Sequence, residues 1–354
     1  MNVPVLSRQA LQLLQDLIAI PAYSREEGRR ADYLENYLRN YGCQVERLGH
    51  NLIVRHRPEA PYRILLNSHL DTIKPSTSWR RDPHRPVIED GKLYGLGAND
   101  AGGPLVTLLV SFLTLIKSNY PHQLILVISA EEEISGAGGV SAIRDQIGRV
   151  DAGIVGEPTS LQVAVAEKGL MVIDAYADGV AGHAARDEGT NAIYLALEDI
   201  QKIRNYTFAE ISPWLGKVKM TVTQIQAGTQ HNVVPDLCSY VIDVRTTEKY
   251  QNQHIFNELV QLCHARLQAR SFRLQSSGIA LEHPLVKASQ SLNLGLYGSP
   301  TLSDQALWQW PTIKLGCGQS ARSHVADEYL YLTDIEQGIE IYLKLLLELD
   351  HLIS

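Results

Sequence analysis

The sequence predicts an α/β protein in which a smaller α+β unit is inserted into a larger domain. The chain has 354 residues, and because one domain usually takes about 100 to 200, two domains are expected. Three short apolar runs, at 63–69, 124–130 and 152–158, are typical of buried strands, and an apolar helix is expected at 104–117 between the first two. Alternating buried strands and helices indicate a layer that contains parallel strands.

Two amphipathic helices are expected before the first of these strands. The second helix is predicted to begin at Ser24, because Glu27 follows three residues later in a capping-box pattern, and to end near Gly42. Towards the end of the chain the pattern returns to short apolar strands such as 312–316, and a final helix is expected at 332–350.

The pattern between these two parts is different. Runs at 171–179, 218–228 and 238–247 predict longer strands with partly alternating faces, and helices are expected at 191–206 and 252–268. This segment is therefore expected to form a separate α+β unit. The predicted boundaries are 1–165 together with 276–354 for the main domain and 166–275 for the inserted one.

Composition favours a globular enzyme that acts on a small molecule. The chain is 45% hydrophobic and 20% charged, so it can bury a sizeable core. Its 32 basic and 39 acidic residues give a net charge of −7, which argues against nucleic acid and anionic membranes as partners. The apolar run 104–116 is shorter than the roughly 20 residues that cross a bilayer, and a signal-peptide pattern is lacking, so we expect a cytoplasmic protein.

Side chains suited to bind a metal occur where each of the three early strands is expected to end, and in a glycine-rich turn. They are His69 and Asp71, Glu131, Glu132 and Glu133, Glu157, and, in the turn, Asp100. Zinc accepts imidazole and carboxylate ligands, and Asp71 is suited to orient the imidazole of His69. Two metal ions about 3.5 to 4 Å apart need a bridging carboxylate, for which Asp100 is the candidate.

The motifs SHLDT, GLGANDAGG, SAEEEISG, GEPTS and ARSHVADE occur in this order along the chain. Together they resemble the di-zinc aminoacylase and carboxypeptidase family of metallohydrolases, which contains acetylornithine deacetylase and succinyl-diaminopimelate desuccinylase. The resemblance covers essentially the whole chain. It implies a zinc-exopeptidase-like catalytic domain with an inserted ferredoxin-like dimerisation domain, and a homodimer.

The resemblance also implies two divalent metal ions, zinc or cobalt. The implied ligands are His69 and Glu157 for one ion, Glu133 and His324 for the other, and Asp100 between them. Glu132 is implied to be the general base that takes a proton from the attacking water and later delivers it to the leaving amine. Three consecutive glutamates leave the register open by one residue, and the following Ile-Ser-Gly aligns Glu132 and Glu133 with the family's pair.

Three residues of the inserted unit gain a role from the same resemblance. A histidine at the position of His183 reaches the partner's active site and binds the developing oxyanion. Asn232 and Arg245 are implied to contact the substrate, and Arg245 its α-carboxylate.

The stretches AEKGLM, GHAARDEGTNA and SPTLSDQAL look most like acetylornithine deacetylases, which implies hydrolysis of an Nα-acyl-L-ornithine in arginine biosynthesis. The acyl group stays open, because acetyl needs only a small apolar pocket whereas succinyl needs another cation. Candidate cations are Lys168, Arg186 and Arg322, and Asp187 and Glu188 are candidates to face the substrate's ammonium group.

Other activities stay open at this point. Within the enzymes, the alternatives are succinyl-diaminopimelate desuccinylase, acetylcitrulline deacetylase and a dipeptidase or carboxypeptidase. The alternative from another class is a binding protein that has lost catalysis. A missing base or broken ligand set would favour it, and the motifs show neither.

Overall fold

The computed structural model describes residues 2–186 and 188–354. The chain forms two compact units. The larger unit comprises Met1–Val165, Gly278–Tyr297 and Ser303–Ser354, and the smaller comprises Ala166–Ser277 and Gly298–Leu302.

Eight α-helices occur in the described residues. They are α1 (Val3–Ile18), α2 (Gly28–Asn40), α3 (Gly103–Lys117), α4 (Val140–Ile147), α5 (Ala192–Asn205), α6 (Asn252–Leu262), α7 (Pro284–Ser291) and α8 (Leu332–Ile353).

The same residues contain eighteen strands. They are β1 (Val45–Leu48), β2 (Asn51–His56), β3 (Arg63–His69), β4 (Val87–Glu89), β5 (Lys92–Tyr94), β6 (Gln123–Ser129), β7 (Ala152–Val155), β8 (Val163–Glu167), β9 (Gly169–Asp178), β10 (Gly182–His183), β11 (Lys219–Ala227), β12 (Val233–Val234), β13 (Leu237–Thr246), β14 (Arg266–Ala269), β15 (Ser277–Gly278), β16 (Leu296–Ser299), β17 (Thr312–Lys314) and β18 (Tyr329–Tyr331).

The larger unit is built on a mixed sheet with the order β1-β2-β6-β3-β7-β17-β8-β15, and β16 pairs with β8. Its central strands β6, β3, β7 and β17 are parallel neighbours. Strands β6 and β7 are buried along their whole length, which is typical of parallel strands covered on both faces. The apolar helix α3 is buried against α1, α8 and the sheet. The predicted α/β class is thus confirmed.

The smaller unit has a four-stranded antiparallel sheet with the order β11-β13-β9-β14. Along the chain its main elements run β9, α5, β11, β13, α6, β14, which is the β-α-β-β-α-β pattern of ferredoxin-like units. Alternate residues of β9 and β13 are buried and form, with α5 and α6, a separate apolar core.

Two predicted helix boundaries are wrong, and in both cases a distant contact is the reason. Helix α2 begins at Gly28 rather than Ser24, because the Ser24 hydroxyl donates to Asp71 at 2.7 Å and is not available as a cap. Helix α6 ends at Leu262 rather than near 268, because residues 266–269 form β14 and pair with β9.

Within the part of the chain that the structure describes, one helical segment, Ala98–Lys117, is long and apolar enough to cross a bilayer by length and composition. Of its most apolar window, 78% is buried inside the protein, as in the core helix of a folded domain.

Candidate metal centre

The predicted metal ligands lie at one edge of the large sheet. His69 is the last residue of β3, Glu132 and Glu133 follow β6, and Glu157 follows β7. Strand β3 lies between β6 and β7 and runs parallel to both, so their carboxyl ends meet at the same edge. The sheet thereby gathers ligands that are far apart in sequence, as expected for an α/β layer.

Asp100 lies between two histidines and presents one oxygen to each. His69 Nε2 is 3.3 Å from Asp100 Oδ1, and His324 Nε2 is 3.6 Å from Asp100 Oδ2. Glu133 Oε2 lies 2.8 Å from His324 Nε2, and Glu157 Oε1 lies 3.7 Å from His69 Nε2. The side chains therefore form two sets that share Asp100, which is the arrangement that two bridged metal ions require.

Glu132 lies on the His69 side of this cluster. Its carboxylate is 4.0 Å from His69 Nε2, and ligand atoms of His69, Glu132 and Glu157 all lie within 4.8 Å of one another. The same spacing holds for His69, Asp100 and Glu133. Two adjacent glutamates thus extend into the two halves of one cluster.

Asp71 orients both His69 and the glutamate segment. Its backbone carbonyl and Oδ1 lie 3.1 and 3.3 Å from His69 Nδ1, which leaves Nε2 facing the cluster. Its carboxylate also accepts the backbone N–H groups of Glu132 and Glu133 at 3.1 and 3.2 Å. One buried carboxylate therefore fixes three neighbouring residues of the site.

Glu131 points away from the cluster. Its carboxylate accepts the N–H of Gly138 at 3.2 Å. The side chain packs so closely against Gly136 that a Cβ atom there would lie 1.9 Å from Glu131 Oε2. The glycine-rich turn after the glutamates therefore accommodates this side chain. The geometry favours the register in which Glu132 and Glu133 face the metal site.

The cluster concentrates several carboxyl groups in a buried space. Burial, reinforced by neighbouring carboxylates, raises the pKa of Glu132 well above its usual range and that of Glu157 to about 8. Burial opposes protonation of His69, but its hydrogen bonds to Asp100 and Asp71 outweigh it and raise its pKa. The hydrogen bond to Glu133 raises the pKa of His324 to about 9. Carboxylates crowded in this way are stabilised in their ionised form by a bound cation.

A divalent metal fits this donor set. Among the described residues, buried Glu157 Oε1 has no hydrogen-bond partner, although unpaired buried polar atoms are costly. Two imidazoles with three or four carboxylates are the ligand chemistry that zinc accepts. The side chains of the cluster therefore fit the divalent metal ions that the sequence resemblance implied.

Of the three predicted residues of the smaller unit, two are exposed and one is half-buried. His183 and Asn232 are exposed, and the backbone N–H of Ala185 donates to His183 Nδ1 at 3.2 Å. Arg245 is half-buried and makes two bonds, of 2.9 and 3.1 Å, to Asp243. Their predicted roles stay predictions.

The candidate cations differ in their availability. Arg322 donates to Asp334 at 3.0 Å and packs over the rings of Tyr329 and Tyr331. Arg186 is 67% exposed and lies 3.7 Å from Glu188. Asp187 lies outside the described residues.

Sequence reasoning missed two features. The first is Glu328, a buried carboxylate that contacts the backbone at Asp100; its only signal was its position four residues after His324. The second is Lys219, which lies opposite Arg245 in the β11–β13 pair. The pKa of Lys168 is lowered mainly by burial and, to a smaller extent, by the nearby charge of Lys219. No local motif marked Lys219.

Comparison with known sequences decides the family. Residues 65–348 match the profile of peptidase family M20/M25/M40. The chain belongs to this family. It is accordingly a metallohydrolase, and the resemblance drawn from its motifs is confirmed.

Three curated relatives of this M20 chain show the kinds of protein to which it is similar. It is 28% identical to an uncharacterised metallohydrolase of Methanocaldococcus jannaschii, over 95% of this chain and 96% of the relative. It is 26% identical to the acetylornithine deacetylase of Proteus mirabilis, over 94% of each chain. It is 31% identical to the succinyl-diaminopimelate desuccinylase of Corynebacterium glutamicum, over 64% of this chain and 63% of the relative.

Solved structures share the fold of the M20 chain. Aminopeptidase PepT of Bacillus cereus superposes with a TM-score of 0.79 at 17% identity, over 97% of this chain and 98% of that one. A dinuclear metal-binding M20 peptidase of Bacillus subtilis gives 0.73 at 14% identity, over 97% and 98%. The zinc-exopeptidase-like fold class with an inserted unit is thereby confirmed.

Proposed function

We propose that the protein removes the Nα-acyl group from an acyl-amino acid, with N-acetyl-L-ornithine as the preferred substrate, in arginine biosynthesis in the cytoplasm. The observation that carries the proposal is that Asp100 lies between His69 and His324, with Glu132 beside His69. This arrangement supports two metal sites with a neighbouring carboxylate for proton transfer, the minimum that di-metal amide hydrolysis needs. The full-length similarity to an acetylornithine deacetylase supports the substrate class.

Each residue has a defined task in this reaction. His69, Asp100, Glu133, Glu157 and His324 would hold two divalent ions, zinc or cobalt. When bound, these ions supply Lewis-acid polarisation of the acyl carbonyl and a water of lowered pKa. Glu132 takes a proton from the attacking water and returns it to the departing amine nitrogen, so the amide C–N bond breaks without a charged amide leaving group. Asp71 keeps the imidazole of His69 oriented throughout.

A cation cluster in the smaller unit is suited to bind the substrate's α-carboxylate. Lys219 and Arg245 are direct cross-strand neighbours, and opposite residues of an antiparallel pair project to the same face. Lys168 lies near both, and burial together with these two charges lowers its pKa. Within the described part of the chain, Asp243 is the one carboxylate paired with these three cations. The excess positive charge favours an anionic ligand.

The surface of the smaller unit supports a homodimer. This unit holds about a third of the chain but eight of the 17 exposed large apolar side chains among the described residues, including Tyr194, Leu197 and Ile225. Strand β11 is a nine-residue edge strand that is exposed along most of its length. A long exposed edge strand is a template for pairing with another chain. We accordingly assign His183 to the active site of the partner subunit, where it binds the developing oxyanion.

The identity of the acyl group that is removed distinguishes the proposed function from its main alternatives. The desuccinylase relative supports a succinyl substrate, and Arg186 is the accessible cation for its second carboxylate. A panel of N-acetyl and N-succinyl derivatives of ornithine, citrulline, lysine and diaminopimelate, with simple dipeptides, separates these activities. We expect the highest kcat/KM with N-acetyl-L-ornithine. A preference of more than about tenfold for a succinylated or peptide substrate would replace the proposed activity, and no turnover with any substrate would favour a binding protein.

A further inference from the structure

Glu328 makes an unusual set of contacts next to the proposed bridging ligand. Its Oε2 accepts the backbone N–H of Gly97 at 3.0 Å, and its Oε1 accepts the N–H groups of Asn99 and Asp100 at 2.8 and 2.9 Å. The residue is only 2% exposed. A buried carboxylate thus uses both oxygens to hold one short stretch of backbone that ends at Asp100.

The local fold explains how three N–H groups converge on one side chain. Gly97 adopts a positive φ of 76°, a conformation that favours glycine, and this turns the backbone so that the following N–H groups face inward. Strands β5 and β18 bring Glu328 into position, since Tyr94 pairs with Tyr329 and the N–H of Gly95 donates to the Glu328 carbonyl at 3.1 Å. Both the turn and the strand pair therefore fix the carboxylate against this loop.

We propose that Glu328 is a positioning residue. It fixes the backbone of Asp100 so that the two carboxylate oxygens of Asp100 face His69 and His324. The inference rests on the proposed di-metal function and extends it to a residue that is not itself a ligand. Glu328 follows His324 by four residues, so one short segment supplies both a ligand of the second ion and the anchor of the bridging residue.

A carboxylate is the group that this position requires. Both of its oxygens accept from N–H groups, whereas an amide offers one acceptor and one donor. In either orientation, the amide introduced by Glu328→Gln would set its NH₂ group against at least one backbone N–H. The loop that carries Asp100 would then shift, and because Asp100 is shared, both metal sites would change together.

The test uses metal binding to the full-length protein and needs no substrate. Metal-free wild type, Glu328→Gln and Asp199→Asn are titrated with Co²⁺ by calorimetry, and the absorption spectrum of the cobalt protein is recorded. Asp199 is the matched control, since it is a fully buried carboxylate of the smaller unit that accepts the N–H of Ala265 at 2.7 Å. Its loss disturbs a buried carboxylate–backbone bond away from the metal ligands.

We expect Glu328→Gln to bind both ions about 10- to 100-fold more weakly, with altered cobalt absorption, because changes to groups that orient ligands typically have this effect. Asp199→Asn should bind two ions like wild type. If Glu328→Gln does not fold, Glu328→Asp, which keeps the charge but draws both oxygens back, should show the same changes.

Wild-type affinity and an unchanged cobalt spectrum in the folded Glu328 variant would overturn the positioning role. That outcome is distinct from failure of the proposed function, in which wild type itself would bind fewer than two ions and both proposals would fall.

Discussion

The candidate residues of the two units differ in how they are held. In the larger unit, His69 and Asp71 are 2% and 1% exposed and hydrogen-bonded to their neighbours, and the more exposed His324 is held 2.8 Å from the Glu133 carboxylate. In the smaller unit, His183, Asn232 and Lys219 are exposed, and Lys219 forms no ion pair within the described residues. Rigid, buried groups suit metal binding and proton transfer, whereas accessible groups suit recognition of a substrate or partner. This difference fits the proposal that the larger unit carries the chemistry and the smaller unit the specificity.

Metal removal should have the largest effect and should act through the larger unit alone. The ligand cluster concentrates carboxylates whose ionised forms need a cation, so exhaustive chelation should abolish hydrolysis, and added zinc or cobalt should restore it. Circular dichroism of the metal-free protein should show that the fold is retained. Full activity without metal would place the chemistry elsewhere.

The two adjacent glutamates should separate into a base and a ligand. Glu132→Gln should keep two metal ions but lose about 10² to 10⁴-fold in kcat, the usual contribution of general-base catalysis. Glu133→Gln should instead bind the second ion weakly, because Glu133 contacts His324. Metal analysis and kcat of the two variants check this assignment. The reverse pattern would shift the register by one residue.

Replacing a single cation of the smaller unit should affect substrate binding more than turnover. Lys168→Met should raise KM by about 10- to 150-fold for acetyl and succinyl substrates alike, since a hydrogen bond to a charged group contributes about 1.5 to 3 kcal/mol. Arg186→Met should raise KM for succinyl substrates only. Lys249→Met, an exposed lysine of the same unit, is the control. If Lys168→Met affected only succinyl substrates, the cation cluster would bind the carboxylate of the acyl group rather than the α-carboxylate.

Mixed dimers test whether the smaller unit serves the partner's metal centre. His183→Ala and Glu132→Ala should each be nearly inactive as homodimers. When the two are unfolded together and refolded, about half of the dimers are mixed, and each mixed dimer has one intact site of two. Activity should therefore recover to about a quarter of wild type. No recovery, with mixed dimers shown by native mass spectrometry, would place His183 in its own chain's site or outside catalysis.

The sequence predicted the residues that cluster at the edge of the large sheet better than the groups around them. His69, Glu132 and Glu157 could be found because parallel strands end together and ligand-type residues follow them directly. The role of Glu328 depends on three backbone N–H groups that only the folded loop brings together. The proximity of Lys219 to Arg245 depends on strand register, which no local pattern specified.

The wrong helix boundaries have the same origin. Ser24 has the local features of a helix cap, but its hydroxyl bonds to Asp71, 47 positions away. Residues 266–269 continue a helical pattern, but pairing with β9 outweighs it. In both cases a tertiary contact overrides the local preference for helix.

The central claim is that Asp100 bridges two metal ions, and anomalous scattering tests it most directly. Crystals of the zinc-loaded protein, measured on both sides of the zinc absorption edge, should show two peaks about 3.5 to 4 Å apart, each within about 2.0 to 2.2 Å of an Asp100 oxygen. A single peak, or two peaks that do not share Asp100, would contradict the account.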